Sequence, residues 1–387
     1  MHHKIVGSVN SKVTVTEVEA KTILRKHKKI DSWFLSHYGM NLYRGCRHNC
    51  VYCDGRSEGY YVEGEFGTDV AVKINALDIL CRELDPKRKR TPFPRSYIMV
   101  GGGVGDSYQP LEKTYELTRK TLQLLAEKRL PVHLLTKSTL VERDIDIIKK
   151  INEQSRAIVS FSFSSTNETI SRTFEPGVPS PQERLETIRL FKKEGIACGM
   201  FLLPVIPFIT DTREIMEQTI RDAHDTGVDF IIFGGMTLKD GKQKQYFFNT
   251  LQRYKPELML EYQQIYKHDT WGQVQPEYYA QLQDLFHLLI QQYKIPPRIP
   301  PRLFQDILSE NDLVVVILEH LHYLFQLQGK KSPFGYAAYQ LSQIPQPLST
   351  MQNKLHTVRG VGPATEKIIH EILETGHSKY YEHLLKE

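Results

Sequence analysis

Between about residues 96 and 240, short apolar runs alternate with longer stretches whose apolar residues recur every three or four positions. The runs fall at residues 96–100, 132–136, 157–163, 197–203 and 230–233 and are rich in Val, Ile, Leu and Phe. Each has the length and composition of a strand buried on both faces. Residues 111–127 place Leu111, Leu117, Leu122, Leu124 and Leu125 at helical spacing, and residues 181–194 do so with Leu185, Ile188, Leu190 and Phe191. Buried strands separated by helix-length segments predict an α/β fold of parallel βαβ units, as a doubly wound sheet or a barrel. Such units favour an open, partial (β/α)6 barrel, whose chemistry lies at the C-terminal ends of its strands.

The flanks differ. Residues 1–40 hold short β-branched runs and a basic stretch from Lys21 to Lys29, expected as a lead-in that packs on the barrel of residues 41–240. Residues 241–345 turn to Gln, Tyr and Leu and read as a helical extension, with helices over 278–293 and 303–328. The Pro-rich segment 295–302 between them reads as a stiff, extended linker. Residues 351–387 predict a short helix, a turn at Arg359-Gly360-Val361-Gly362 and a second helix. Pro363 suits that helix's first turn and Gly376 its end.

With 387 residues, the chain exceeds one small domain. An apolar share of 40% with 25% charged residues is a globular composition. No apolar run approaches the length of a membrane span, and the N-terminus shows no secretory pattern, so a cytoplasmic protein without a membrane partner is expected. The net charge of +5 permits a nucleic-acid partner without arguing for one. The basic loop at residues 87–95 reads first as solvated surface, with phosphate contact as the alternative. The oligomeric state is not legible.

Composition changes the picture most at the cysteines. Three of five lie at Cys46, Cys50 and Cys53, spaced C-x3-C-x2-C, with Tyr52 before the last. Such crowding favours metal binding over disulfides. A zinc site would show a second cysteine or histidine pair, and none is visible. Thiolates are the usual ligands of iron–sulfur clusters, and three of them leave one iron of a [4Fe–4S] cluster open. Cys198 and Cys81 read as structural, one in a strand and one on a helix face.

This loop resembles the signature of the radical S-adenosylmethionine (radical SAM) superfamily, in the branch of spore photoproduct lyase and the photolyase-like DNA-repair proteins. Tyr43-Arg44-Gly45-Cys46 is similar to that branch's entry to the cluster, and Gly105-Asp106-Ser107-Tyr108-Gln109-Pro110-Leu111-Glu112 to its T-D-x-Y-Q-P-x-E block. Phe174-Glu175-Pro176 with Ser180-Pro181-x-x-Arg184-Leu185 resembles a third block, and Leu203-Pro204-Val205-Ile206-Pro207 the strand over which adenine lies. The resemblance implies a partial barrel of radical SAM type and a lyase-like enzyme. It implies a [4Fe–4S] cluster and S-adenosylmethionine, cleaved to a 5′-deoxyadenosyl radical, with a reducing donor such as flavodoxin or ferredoxin. In that setting Gly101, Gly102 and Gly103 let backbone carbonyls approach the cofactor's ammonium, and Lys137 pairs with its carboxylate. Ser162, preferred over Ser164 on strand parity, holds the ribose, and Asp106 accepts a hydrogen bond from cofactor or substrate.

Two departures bear on the reaction. The position of a hydrogen-donating cysteine in spore photoproduct lyase is Gly103 here, and the tyrosine after its third cluster cysteine is Asp54. Both weaken thymine-dimer repair as the specific activity. The C-terminal segment resembles a helix-hairpin-helix element, which implies contact of Gly360, Gly362 and Lys367 with DNA or RNA backbone. There Glu366 matches the small residue usual in the second helix. The expected substrate is therefore a nucleic acid, by repair or nucleotide modification. The rivals are a radical SAM enzyme on a protein or small molecule, and a nucleic-acid-binding redox sensor without catalysis.

Overall fold

In the computed structural model, which describes residues 4–5, 13–60, 62, 64–87, 93–102, 104–267 and 271–385, the apolar runs become strands of one seven-stranded sheet. They are β1 (Leu24–Asp31), β2 (Ser36–Met40), β3 (Tyr97–Val100), β4 (Val132–Thr136), β5 (Ala157–Phe163), β6 (Ala197–Val205) and β7 (Phe230–Gly235). The order is β7-β6-β5-β4-β3-β2-β1. Strands β2 to β7 pair in parallel, and β1 closes the edge antiparallel to β2. Six parallel strands, curled and helix-covered, form the partial (β/α)6 barrel. Residues 24–40 are therefore part of the barrel sheet and not only a lead-in. The charged alternation of β1 hid its pairing.

Alternation divides the strands between two cores. Ile98, Val100, Leu134, Val159, Phe161, Met200 and Ile231 point outward. They meet helices α1 (Leu117–Glu127), α2 (Ile145–Gln154), α3 (Pro181–Lys193) and α4 (Arg213–His224). The start of α3 is fixed by Pro181 at its first position and a capping box between Ser180 and Glu183. The predicted helix at residues 111–127 is broken at Glu116, whose φ is 51°.

On the inner face Tyr97, Met99, Ile158, Phe201, Phe230 and Ile232 form the second core, with Phe34 and Leu35. The C-terminal third covers it. After α5 (Lys242–Tyr254) and α6 (Pro276–Tyr293) come α7 (Glu310–Leu327), α8 (Phe334–Leu341), α9 (Pro363–Thr375) and α10 (Lys379–Leu384). Helix α7 is apolar almost all round, as a helix enclosed by sheet and helices must be. It begins later than the expected residue 303, because residues 301–303 form a 3-10 turn and Ser309 caps α7. The Pro-rich linker is buried against β7, with the Ile231 N–H donating to Pro296 O at 2.9 Å.

At the C-terminus the expected first helix is a 3-10 stretch, Leu348–Thr357, kinked at Met351. Helix α9 starts at Pro363 and ends on Gly376 in the left-handed conformation. The small residue that packs inward is Thr365, while Glu366 lies 3.7 Å from His356 and 3.8 Å from His370. Among the described residues no helix is long and apolar enough to cross a membrane.

Candidate active site

A cavity of about 400 Å³ opens where the parallel strands end. Gly102 follows β3, Thr136 and Lys137 close β4, Ser162 sits at the end of β5, and Pro204 lies in β6; all line it. Cys46, Cys50 and Cys53 line the facing wall, with Tyr52 between them. All three cysteines are free thiols.

The cysteine loop is pinned by four side chains. His48 reaches Gly177 O through Nδ1 at 2.9 Å and Asp106 Oδ2 through Nε2 at 3.1 Å. The Gln109 side chain accepts from Arg47 N at 3.1 Å and donates to Gly45 O at 3.2 Å. Arg56 donates to Cys50 O and Phe66 O, each at 3.1 Å, with its guanidinium 3.4 Å from the centre of the Tyr246 ring on α5. Gln243, also on α5, donates to Tyr52 O at 2.9 Å and Asp54 Oδ1 at 3.0 Å. The first helix of the extension therefore holds the loop, a role its composition did not disclose.

Asp106 is the hub between loop and sheet. Its carboxylate accepts from Thr136 Oγ1 (2.8 Å), Lys137 N (2.7 Å) and Tyr108 N (2.8 Å) besides meeting His48. Burial works to raise its carboxyl, but His48 and these N–H donors hold it below the ordinary carboxylate range. Its oxygens tie the loop to β4, and the side chain also lines the cavity.

Glu175 organises the other side. It accepts from Lys137 Nζ at 2.9 Å, from Arg184 Nη2 at 2.8 Å and from the Tyr52 hydroxyl. The Glu175 and Arg184 side chains are fully buried. Burial pushes the Glu175 carboxyl up, yet Lys137 and Arg184, then the Tyr52 hydroxyl, hold it well below the usual range. Lys137 thus spans from Glu175 to the cavity. Sequence reasoning missed Glu175 and Arg184 as site residues, though both lie in a block it singled out. The signal was an arginine on the apolar face of α3, in register with Ile188 and Phe191.

The other expected residues are placed as follows. Ser162 Oγ donates to Leu203 O at 2.9 Å at the cavity wall, whereas Ser164 is buried with its hydroxyl unpartnered. Gly101 lies under the wall with φ at 76°, and a Cβ there would stand 2.7 Å from Leu135 O. Gly103 and residues 88–92 of the basic loop lie outside the described residues. Gly360, Gly362 and Lys367 lie on the C-terminal hairpin and do not line this cavity. Cys198 is buried in the outer core, away from the cavity, and Cys81 is exposed on the helix Ala76–Glu83 instead of packed.

The donor set suits a cluster. Burial pushes all three loop thiols up, Cys50 to about 12, so they ionise only beside strong positive charge, which metal ions supply. Among the described residues no three Cys, His, Asp or Glu side chains converge on one ion. A cluster asks instead for one thiolate on each of three irons.

Residues 40–223 match the radical SAM superfamily. The chain belongs to that superfamily. An uncharacterized protein of Mycobacterium tuberculosis is 30% identical over 287 residues, which cover 73% of this chain and 82% of that protein. An uncharacterized protein of Methanocaldococcus jannaschii is 31% identical over 212 residues, 54% of this chain and 75% of that protein. Among solved structures, spore photoproduct lyase complexed with dinucleoside spore photoproduct shares the fold. Its TM-score is 0.55 at 19% identity, over 72% of this chain and 79% of that chain. As a radical SAM enzyme, the protein works with a [4Fe–4S] cluster and S-adenosylmethionine.

Proposed function

We propose that this radical SAM enzyme acts on a nucleic acid or a nucleotide-derived substrate, in the manner of the spore photoproduct lyase-like branch. Cys46, Cys50 and Cys53 would hold the cluster, leaving it open to S-adenosylmethionine. When bound, the pair supplies a 5′-deoxyadenosyl radical that removes a hydrogen atom from substrate. Lys137, the cation at the cavity wall, offers its ammonium to the cofactor's carboxylate, and Glu175 and Tyr52 hold that lysine in place until then. Gly101 and Gly102 carry backbone past the same site, Ser162 and Pro204 flank the nucleoside part, and Asp106 keeps the loop seated. A reduced flavodoxin or ferredoxin is the expected electron donor.

The observation that carries the substrate class is the C-terminal hairpin. Gly360 turns the chain at φ 89°, shortly before a helix whose first residues, Gly362 to Ala364, are exposed. Lys354, Arg359 and Lys367, close to that terminus in sequence, are exposed, which suits phosphate. The spore photoproduct lyase complex, with its bound dinucleoside photoproduct, supports the same class. Dimer repair itself is not favoured: Asp54 stands at a tyrosine position and is tied to Thr237 Oγ1 at 2.6 Å. Reconstituted protein incubated with damaged DNA, intact DNA and RNA, followed by mass spectrometry of the nucleosides, tests the proposal. A new or repaired nucleoside in one of them is expected. Unchanged nucleosides in all three would refute it.

A further inference from the structure

The basic stretch between Lys21 and Lys29 is only partly explained by strand pairing. It supplies β1, the outermost strand, which borders a second cavity of about 1030 Å³. That exceeds the roughly 300–1,000 Å³ of most small-molecule pockets. The opposite wall comes from α6 and α7. Lys28, Lys29, Arg298 and Lys330 line it against two carboxylates, Asp31 and Glu319. Glu319 is already paired with Lys29, and Asp31 accepts the Trp33 N–H at 2.9 Å.

Arg298 is the decisive residue. It is 4% exposed, and its guanidinium lies 3.2 Å from the centre of the Tyr323 ring and 5.5 Å from that of Trp33. It donates to Pro297 O at 2.9 Å, and among the described residues no carboxylate pairs with it. A buried cation without a counter-ion is costly, and an anion entering the cavity removes that cost. Two buried ring nitrogens of the same lining, His27 Nε2 and His322 Nδ1, also lack a hydrogen-bond partner. Trp33 lines both this groove and the cavity of the three cysteines.

We propose that this groove binds the sugar–phosphate backbone of a single-stranded nucleic acid and leads it past Trp33 to the cysteine-lined cavity. Arg298 and the lysines take phosphates, and the indole offers a stacking face, the pairing by which single strands are held without sequence reading. An acidic peptide would match the charge but not the aromatic junction. The inference rests on the nucleic-acid reading above and adds a route, separate from the C-terminal hairpin.

Fluorescence anisotropy of the full chain with a labelled oligothymidylate, at several salt concentrations, tests it. Lys28 and Lys330 are both exposed, so the double variant Lys28→Glu/Lys330→Glu keeps the fold. It should weaken binding roughly ten-fold or more and flatten the salt dependence by about 1.4, since each single-strand phosphate contact contributes about 0.7. Lys367→Glu serves as the comparison. If the double variant binds as the parent does, or if only Lys367→Glu loses binding, the groove is not the route and the nucleic-acid reading stands. If the parent binds a poly-glutamate peptide and no oligonucleotide, both fall.

Discussion

The two ends of the barrel solve opposite problems. At the C-terminal ends of the strands, ionised groups are buried in hydrogen-bonded networks: Asp106 with its four partners, and Glu175 between Lys137 and Arg184. At the N-terminal ends, the C-terminal helices cover the sheet, and the buried histidines there are kept neutral. His133 sits among Phe34, Phe201 and Phe230, with ring centres 5.3, 6.1 and 6.4 Å away, and Nε2 lies 2.7 Å from Ser160 Oγ. His320 bridges the Tyr381 hydroxyl at 2.7 Å and Ser32 O at 3.1 Å. Burial drives both imidazoles down to about 3. The open end holds its buried charges in ion pairs around a loop for a cofactor; the closed end packs neutral imidazoles, and its buried cation, Arg298, lies on the Tyr323 ring.

The largest expected effect that separates the two concerns the thiols. Cys50→Ala should abolish the visible absorbance of the reconstituted cluster, while Cys198→Ala, on the outer core, should leave it intact. Loss in both would break the assignment of the open end.

Next comes Glu175→Gln. It leaves Arg184 buried without its anion, which should cost about 3–5 kcal/mol in denaturant unfolding. Lys137→Met, whose side chain is partly exposed, should cost clearly less. Equal losses would show that the network is not centred on Glu175.

The pH dependence distinguishes the ends by where stability is lost. A histidine with a depressed folded pKa stabilises fully above its unfolded value of about 6.5 and loses that contribution as pH falls towards 3. Depressed carboxylates stabilise above their unfolded value of about 4 and are lost only below it. Stability should therefore begin to fall near pH 6.5 through the closed end and fall more steeply below about pH 4 through the open end. A flat profile from pH 7 to 4 would contradict the neutral imidazoles. The smallest effect is expected at the rim: Gly360→Ala meets Tyr336 at 2.6 Å and needs a left-handed backbone, so it should cost about 1–2 kcal/mol.

The same division explains what the sequence disclosed. Strands β3 to β7 are buried on both faces, so their apolar runs are continuous and easy to read. Strand β1 is not, because Arg25, Lys26, Lys28 and Lys29 give an edge strand the look of surface chain. Cys46, Cys50 and Cys53 are legible because one local loop carries all three. Glu175 and Lys137 are 38 residues apart, and only the placement of strand ends brings them together. Asp106 was expected to face cofactor or substrate; its donors come from the loop, from β4 and from its own turn, which no local pattern announces. The hairpin glycines were visible through Pro363 and Gly376, but the inward residue, Thr365, depended on helix phase.

The most direct test of the account is 5′-deoxyadenosine formation by the anaerobically reconstituted enzyme with dithionite and S-adenosylmethionine. The account predicts that the parent forms it, that single-stranded nucleic acid raises the yield, and that Cys50→Ala forms none. No 5′-deoxyadenosine from the parent, with or without nucleic acid, would contradict it.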